Sequence, residues 1–509
     1  MLKVASLFTD GAVLCRRKEI RIFGEVKEGA AVRAVLRDGR GYTLAEGEDA
    51  GRQGRFLILL PPQEARTDCT LTVSAGEETF TARNIAIGDV FLAGGQSNME
   101  LELQNADGGP EILKTHEDSL LRFYNVPRMA CVNKEQRQAV DNTRWHAVSP
   151  GKGGENSAVA YFFARKIRET HPEVPVGIIG CYWGGTSITC WLEEEVLRET
   201  AEGNRYLEQY AKKCGRKSMK TYLEEEASFQ QTLAAWNGKV EAYRKEHPDA
   251  SWEDVTNVCG LCPWNPPVGP GSPYRPGGLA VSMVREIVPV ALTAILYYQG
   301  EEDADKTERY DVLMIELIRR WRTLFRERRL PFLFVQLPMW LDFGAADTFR
   351  WPALRLAQAA ARDAVRDAGM VCLLDQGEYG NIHPTDKQPV GERLAEMAGK
   401  MLYDGGAVSP RAIAKYTQGN TMTVTLDAPV SARDGKAPAL LEIAEADGDF
   451  VPASALISGN TLRLWAKDVD HPVRARYAWT DYSDQVNLFG ENGLPLEPFL
   501  FGQEEGNKP

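Results

Sequence analysis

The sequence predicts a parallel α/β unit flanked on both sides by β-rich segments, and three observations carry that expectation. Apolar strand-like runs alternate with helix-length segments from Asp89 to about residue 404, the pattern of a parallel sheet covered on both faces. Before about residue 87 and after about residue 409 the runs are short and alternate with period two between turn residues, as in small antiparallel sandwiches. Finally, 509 residues are a prior of about three domains rather than one core.

In order along the chain, residues 1–87 carry the runs Ile20–Gly24, Ala31–Leu36, Arg55–Leu60 and Thr70–Ser74, read as an N-terminal β-sandwich. Residues 88–408 form the α/β unit. Strand Val90–Ala93 leads into a Gly-rich turn, helix 158–167 precedes strand Val176–Ile179, and strand Thr293–Tyr298 precedes helix 307–329. Phe332–Gln336 and Met370–Leu374 are further strands, with a last helix near 386–404. Within this unit, residues 195–278 are a charged helical segment ending in the proline-broken Cys262-Pro-Trp-Asn-Pro-Pro-Val-Gly-Pro-Gly-Ser-Pro273, an insertion expected to cap the site. Residues 409–509 return to β-runs, Thr421–Leu426 and Thr461–Trp465. There are no repeats or low-complexity tracts.

Composition excludes several classes. Lys+Arg 59 against Asp+Glu 71 leaves a net charge of -12, which argues against a nucleic-acid partner. No apolar run reaches the roughly 18 residues of a membrane span. The best stretch, Ile287–Leu296, is broken by Pro289 and Thr293, so a soluble protein without membrane partners is expected. The N-terminus runs straight into a strand pattern, which predicts a cytoplasmic protein, or a secreted or periplasmic one whose leader has been removed. Nine scattered Cys do not make a disulfide framework, and Cys259-Gly-Leu-Cys262 has no second pair and no nearby His. Neither a metal nor another cofactor is expected. No motif specifies an oligomeric state.

In a parallel sheet, functional residues lie beyond the C-terminal strand ends. Four clusters stand there. Gly94-Gly-Gln-Ser-Asn-Met-Glu100 puts Ser97 at a strand-to-helix turn among free N–H groups, as a nucleophile requires, although the same Ser also suits an ordinary helix cap. It is not the G-x-S-x-G elbow, because Met99 stands at the second Gly. Of six His, only His383 follows a strand of this unit; His171, His247 and His471 precede Pro in other contexts, and His116 and His146 sit in polar stretches. Cys181-Tyr-Trp-Gly-Gly-Thr-Ser187 offers glycine N–H groups, and Tyr297-Tyr-Gln-Gly-Glu-Glu-Asp303 offers the Gln299 amide and the Glu301 carboxylate.

Together these blocks resemble the sialate O-acetylesterase family, within the SGNH-type esterases. Gly95-Gln-Ser-Asn-Met99 is similar to the family's nucleophile block, Trp183-Gly-Gly-Thr186 to its glycine block, Tyr298-Gln-Gly-Glu301 to its third block and Ile382-His-Pro-Thr-Asp-Lys-Gln388 to its histidine block. Leu7–Leu14, Arg476–Trp479 and Gly493–Phe499 resemble its flanking β-regions, so the likeness spans nearly the whole chain. The resemblance implies a flavodoxin-like α/β/α three-layer unit and removal of O-acetyl groups from sugars without a metal. Glu302-Asp303 and Leu279-Ala-Val-Ser-Met283 depart from the family's usual residues in segments that would border the substrate. Gly380 stands where many SGNH enzymes have Asp.

The expected chemistry is acyl transfer, with Ser97 the nucleophile and His383 the base. The N–H of Ser97, an N–H of Gly185 and the Gln299 amide would hold the oxyanion, at about 3–4 kcal/mol per donor. The backbone carbonyl of Asn381 is the first candidate to orient His383, with Glu301, Asp375 and Glu378 as side-chain alternatives. Trp183 and Trp191 are candidates to stack on sugar, core packing being the commoner role of such residues. Two rivals remain open: an esterase of acetylated xylan or another polymer, and a carbohydrate-binding protein that has lost catalysis.

Overall fold

The computed structural model describes residues 1–502, apart from the side chains of Gln136 and Asp434. Its centre is a seven-strand path in the order His146–Val148, Asp118–Asn125, Val176–Tyr182, Glu78–Gly95, Ala294–Tyr298, Phe332–Val335 and Ala368–Val371. All neighbours on this path are parallel except the first pair. Phe91 meets Phe163 of helix Ala158–Thr170 edge-on, with ring centroids 4.8 Å apart. Gly94 instead lies against Trp321 of helix Tyr310–Leu324. Residues three apart on a strand point to opposite faces, so helices cover both faces and the sheet is a buried α/β core.

The strand expected at Val90–Ala93 runs much further, from Glu78 to Gly95. Its first part pairs antiparallel with Arg66–Ala75 in the N-terminal β-region, and its second part lies between Val176–Tyr182 and Ala294–Tyr298. Gly88, which reads as a break, is a close approach instead: a Cβ there would sit 2.0 Å from the carbonyl oxygen of Pro175. One apolar core runs from Val4 through Ala398, without a division at the end of the N-terminal β-region. The C-terminal strands enclose a second core, which also takes in Met339, Cys372 and Leu374.

On the central path, two strands escape the sequence reading. Asp118-Ser-Leu-Leu-Arg-Phe-Tyr-Asn125 hides its pattern because Arg122 is buried in it, its guanidinium satisfied by the carbonyls of Ser119, Gly11 and Asn84. His146 therefore belongs to an edge strand rather than a polar connection, with Nε2 3.0 Å from Asn156 Oδ1. The insertion is helical over Ala201–Cys214, Met219–Glu246 and Trp252–Cys259. No helix among the described residues is long and apolar enough to cross a membrane.

Candidate active site

The Glu78–Gly95 strand is where the chain changes direction across the sheet, its neighbours on either side coming from later in the sequence. Such a switch point leaves a crevice beyond the strand ends. Register brings Gly95 opposite both Tyr182 and Tyr298, so the turns after these three strands open side by side. Gly95 allows this closeness: its φ is +134°, and a Cβ would lie 2.0 Å from the Tyr298 carbonyl oxygen. Ser97 then begins the short helix Ser97–Glu100, half-buried. Gly184 packs against it, a Cβ there falling 3.3 Å from that of Ser97.

His383 arrives from the loop between strand Ala368–Val371 and helix Gln388–Leu402, and its Nε2 lies 2.8 Å from Ser97 Oγ. The two residues singled out from sequence are thus in hydrogen-bond contact across 286 positions. His383 keeps an open face to solvent, yet protein crowds its remaining surface. That desolvation, reinforced by the positive charge of Lys387, holds the imidazole below its usual pKa. It is therefore neutral, and able to accept a proton, through the neutral range.

Beneath the pair lies a buried polar chain that sequence reasoning missed. Asn98 Nδ2 donates to Glu301 Oε1 at 2.6 Å and to the Ile382 carbonyl at 2.9 Å, while its Oδ1 accepts from Lys387 Nζ at 2.6 Å. One amide so ties the residue after Ser97 to the residue before His383. All three side chains are buried, and the Lys387 ammonium also faces the Tyr298 ring, 5.7 Å from its centroid. Burial pushes the Lys387 pKa down to about 8 and that of Glu301 up. Glu301 Oε2 has no hydrogen-bond partner. Of the members of this polar chain the sequence singled out only Glu301; Asn98 and Lys387 stand in the nucleophile and histidine blocks without a role of their own.

Gln299 is placed differently from the expected oxyanion donor. It is 1% exposed. Its Nε2 donates to Asp303 Oδ2 at 2.7 Å, Gln96 Oε1 at 3.1 Å and the Thr186 carbonyl at 3.2 Å, and its Oε1 accepts from Tyr310 at 2.7 Å. A side chain with this many interior partners braces the strand ends and is not directed at a substrate. The departure at Asp303 belongs to the same interior: it accepts from Ser187, Ile188 N–H and Tyr206 as well, so it borders no substrate. The N–H groups of Ser97 and Gly185, by contrast, have no acceptor among the described residues.

Asn381 also behaves differently. Its side chain, not its carbonyl, supports the loop, accepting from the His383 N–H at 3.0 Å and donating to Glu378 at 2.7 Å. Among the described residues, nothing accepts a hydrogen bond from His383 Nδ1. Asp375 is held by Arg393 through two bonds of 2.7 Å, and Glu301 by Asn98. Gly380 has φ +73°, and a Cβ there would lie 2.0 Å from the Phe343 ring, so this loop has no room for the usual Asp. Trp191 is wholly buried, its Nε1 bonded to Thr186, which removes it as a sugar platform; Trp183 is half-buried. Among the described residues, no group of three or more His, Cys, Asp or Glu is disposed to hold a metal ion.

Comparison with known proteins agrees with this geometry. The family described as "Carbohydrate esterase, sialic acid-specific acetylesterase" matches residues 87–242 and 264–399, which contain every block around Ser97. A carbohydrate acetylesterase from Xanthomonas citri superposes with a TM-score of 0.76 at 27% identity, over 99% of this chain and 100% of that one. Sialate O-acetylesterases from Mus musculus and Homo sapiens are 25% and 24% identical, each over 94% of this chain and over 90% and 88% of their own. The α/β fold and these matches define a carbohydrate esterase. Within that class, the chain belongs to the sialic acid-specific acetylesterase family.

Proposed function

We propose that the protein is a serine-dependent carbohydrate O-acetylesterase that hydrolyses acetyl esters of sugars, on an SGNH-type three-layer unit. The observation that carries this reading is the 2.8 Å contact between Ser97 Oγ and His383 Nε2 at the strand ends. Ser97 Oγ attacks the acetyl carbonyl as His383 takes its proton, giving a tetrahedral oxyanion. The Ser97 and Gly185 N–H groups, without an acceptor among the described residues, are the donors for that charge. Collapse breaks the acyl carbon–oxygen bond to the sugar, and His383 returns the proton to the leaving hydroxyl. Water, deprotonated by His383, then attacks the acetyl-serine; acetate leaves and Ser97 regains its proton.

This sequence calls on no metal. The imidazole works as one half of a dyad, with Lys387 and Asn98 fixing its loop and no carboxylate receiving Nδ1–H. Residues 88–408 would be the catalytic unit, with 1–87 and 409–509 as supporting β-rich segments. The test is acetate release from O-acetylated sialic acids, acetylated xylo-oligosaccharides and simple acetylated sugars, with Ser97→Ala alongside. Release by the Ser97→Ala protein at the wild-type rate would remove Ser97 from the reaction.

A further inference from the structure

Trp264 lies in the proline-rich end of the insertion, yet packs on the glycine block. A Cβ at Gly185 would lie 2.3 Å from Cζ2 of its indole. Gly184, the residue before Gly185, packs on Ser97, so the indole and the nucleophile lie against adjacent glycines of the same turn. Phe229 and Tyr274 hold it edge-on, each with its ring centroid 5.9 Å away, at interplanar angles of 73° and 80°. These contacts fix the ring without covering it, and Trp264 remains 44% exposed. The insertion therefore brings a fixed aromatic surface beside the glycine block.

We propose that Trp264 is the platform on which the sugar ring of the substrate stacks, so that the insertion selects the alcohol part of the ester. The inference rests on the esterase reading above. A pyranose has an apolar C–H face and a hydroxyl rim, which matches an aromatic face with few polar groups around it. A short aliphatic alcohol has no such face and gains nothing from Trp264.

The experiment compares an O-acetylated sialic acid with ethyl acetate, a substrate without a ring. Trp264→Ala is expected to lower kcat/KM for the sugar ester about tenfold or more, mainly through KM, as fits loss of one aromatic contact. Its kcat/KM for ethyl acetate, which has no ring to stack, should fall distinctly less. The deacetylated sugar should inhibit ethyl acetate hydrolysis more weakly in Trp264→Ala, and Trp264→Phe, which keeps an aromatic face, should lose less. Equal losses on both esters, or an unchanged inhibition constant for the free sugar, would overturn the platform while leaving the esterase intact. Wild-type protein that releases acetate from neither ester overturns the esterase reading, and the platform with it.

Discussion

Under Ser97 the polar side chains are sealed and paired: Gln96, Asn98, Gln299 and Asp303 are each buried and bonded to residues from another strand end. Beside Ser97, the insertion presents Trp264 half in solvent, held by the edges of two rings and by Gly185. The first region can take few substitutions, because every buried donor or acceptor left unpaired costs about 1–3 kcal/mol. The second can be changed at little cost to the fold. The contrast teaches a division of labour: reaction geometry is set from below by a buried, cross-linked network, and the choice of alcohol is made from the side by a surface free to vary.

The strongest way to break this contrast is at the pair itself. Ser97→Ala should reduce kcat on every ester by about three orders of magnitude or more, with the thermal midpoint nearly unchanged. His383→Ala should do the same. Steady-state kinetics beside a thermal melt checks both, and a large shift in midpoint would mean that Ser97 belongs to the supporting network instead.

Next in size is Asn98→Ala, which strips a donor from Glu301 and from the Ile382 carbonyl and an acceptor from Lys387. It should lower kcat on sugar ester and ethyl acetate alike, and destabilise the fold by about 1–3 kcal/mol in urea titration. A loss confined to the sugar ester would assign the network to substrate selection and end the contrast.

Lys387→Met sharpens the same comparison through pH. His383 must be neutral to act as base, so kcat/KM falls as pH drops through its pKa, here held low by desolvation and by Lys387. The acid limb of wild type should therefore lie below the ordinary imidazole value of about 6.5. Removing the positive charge should move that limb to higher pH. A limb that stays fixed, in a folded variant, would detach Lys387 from the base.

Smallest are the outlying carboxylates. Asp375→Asn and Glu378→Gln should each keep most of kcat, because neither side chain meets His383. Glu301→Gln should cost more, through Asn98, but less than His383→Ala. A true orienting acid would cost about four orders of magnitude, so a loss of that size at any of the three identifies it as one. Chelation by EDTA should change nothing measurable in acetate release.

Ser97 and His383 were legible because their cues are local: glycines at a strand end, and one histidine after a strand in an α/β alternation. The layers were legible for the same reason, as runs such as Phe332–Val335 are apolar throughout. What escaped depends on contacts distant in sequence. Lys387 reads as a solvated lysine until Asn98 is found 289 positions away. The absence of Asp at Gly380 was visible, but its cause, the Phe343 ring, was not. Gln299 looked free because nothing in a strand-end motif announces Asp303 and Tyr310 as its partners. Trp264 sits in a stretch without periodicity, where no pattern assigns a facing surface.

The Glu78–Gly95 strand has a consequence for the order of assembly on the ribosome. Its first part pairs with Arg66–Ala75, made just before it, so one end is anchored as soon as it emerges. Its second part waits for Val176–Tyr182 on one edge and for Ala294–Tyr298 on the other, some 200 residues later. At the roughly 5–20 residues per second of translation, the edge that will carry the nucleophile stays open for tens of seconds. The early β-region thus acts during synthesis as a splint, holding one end of a strand whose other end is still exposed to mispairing.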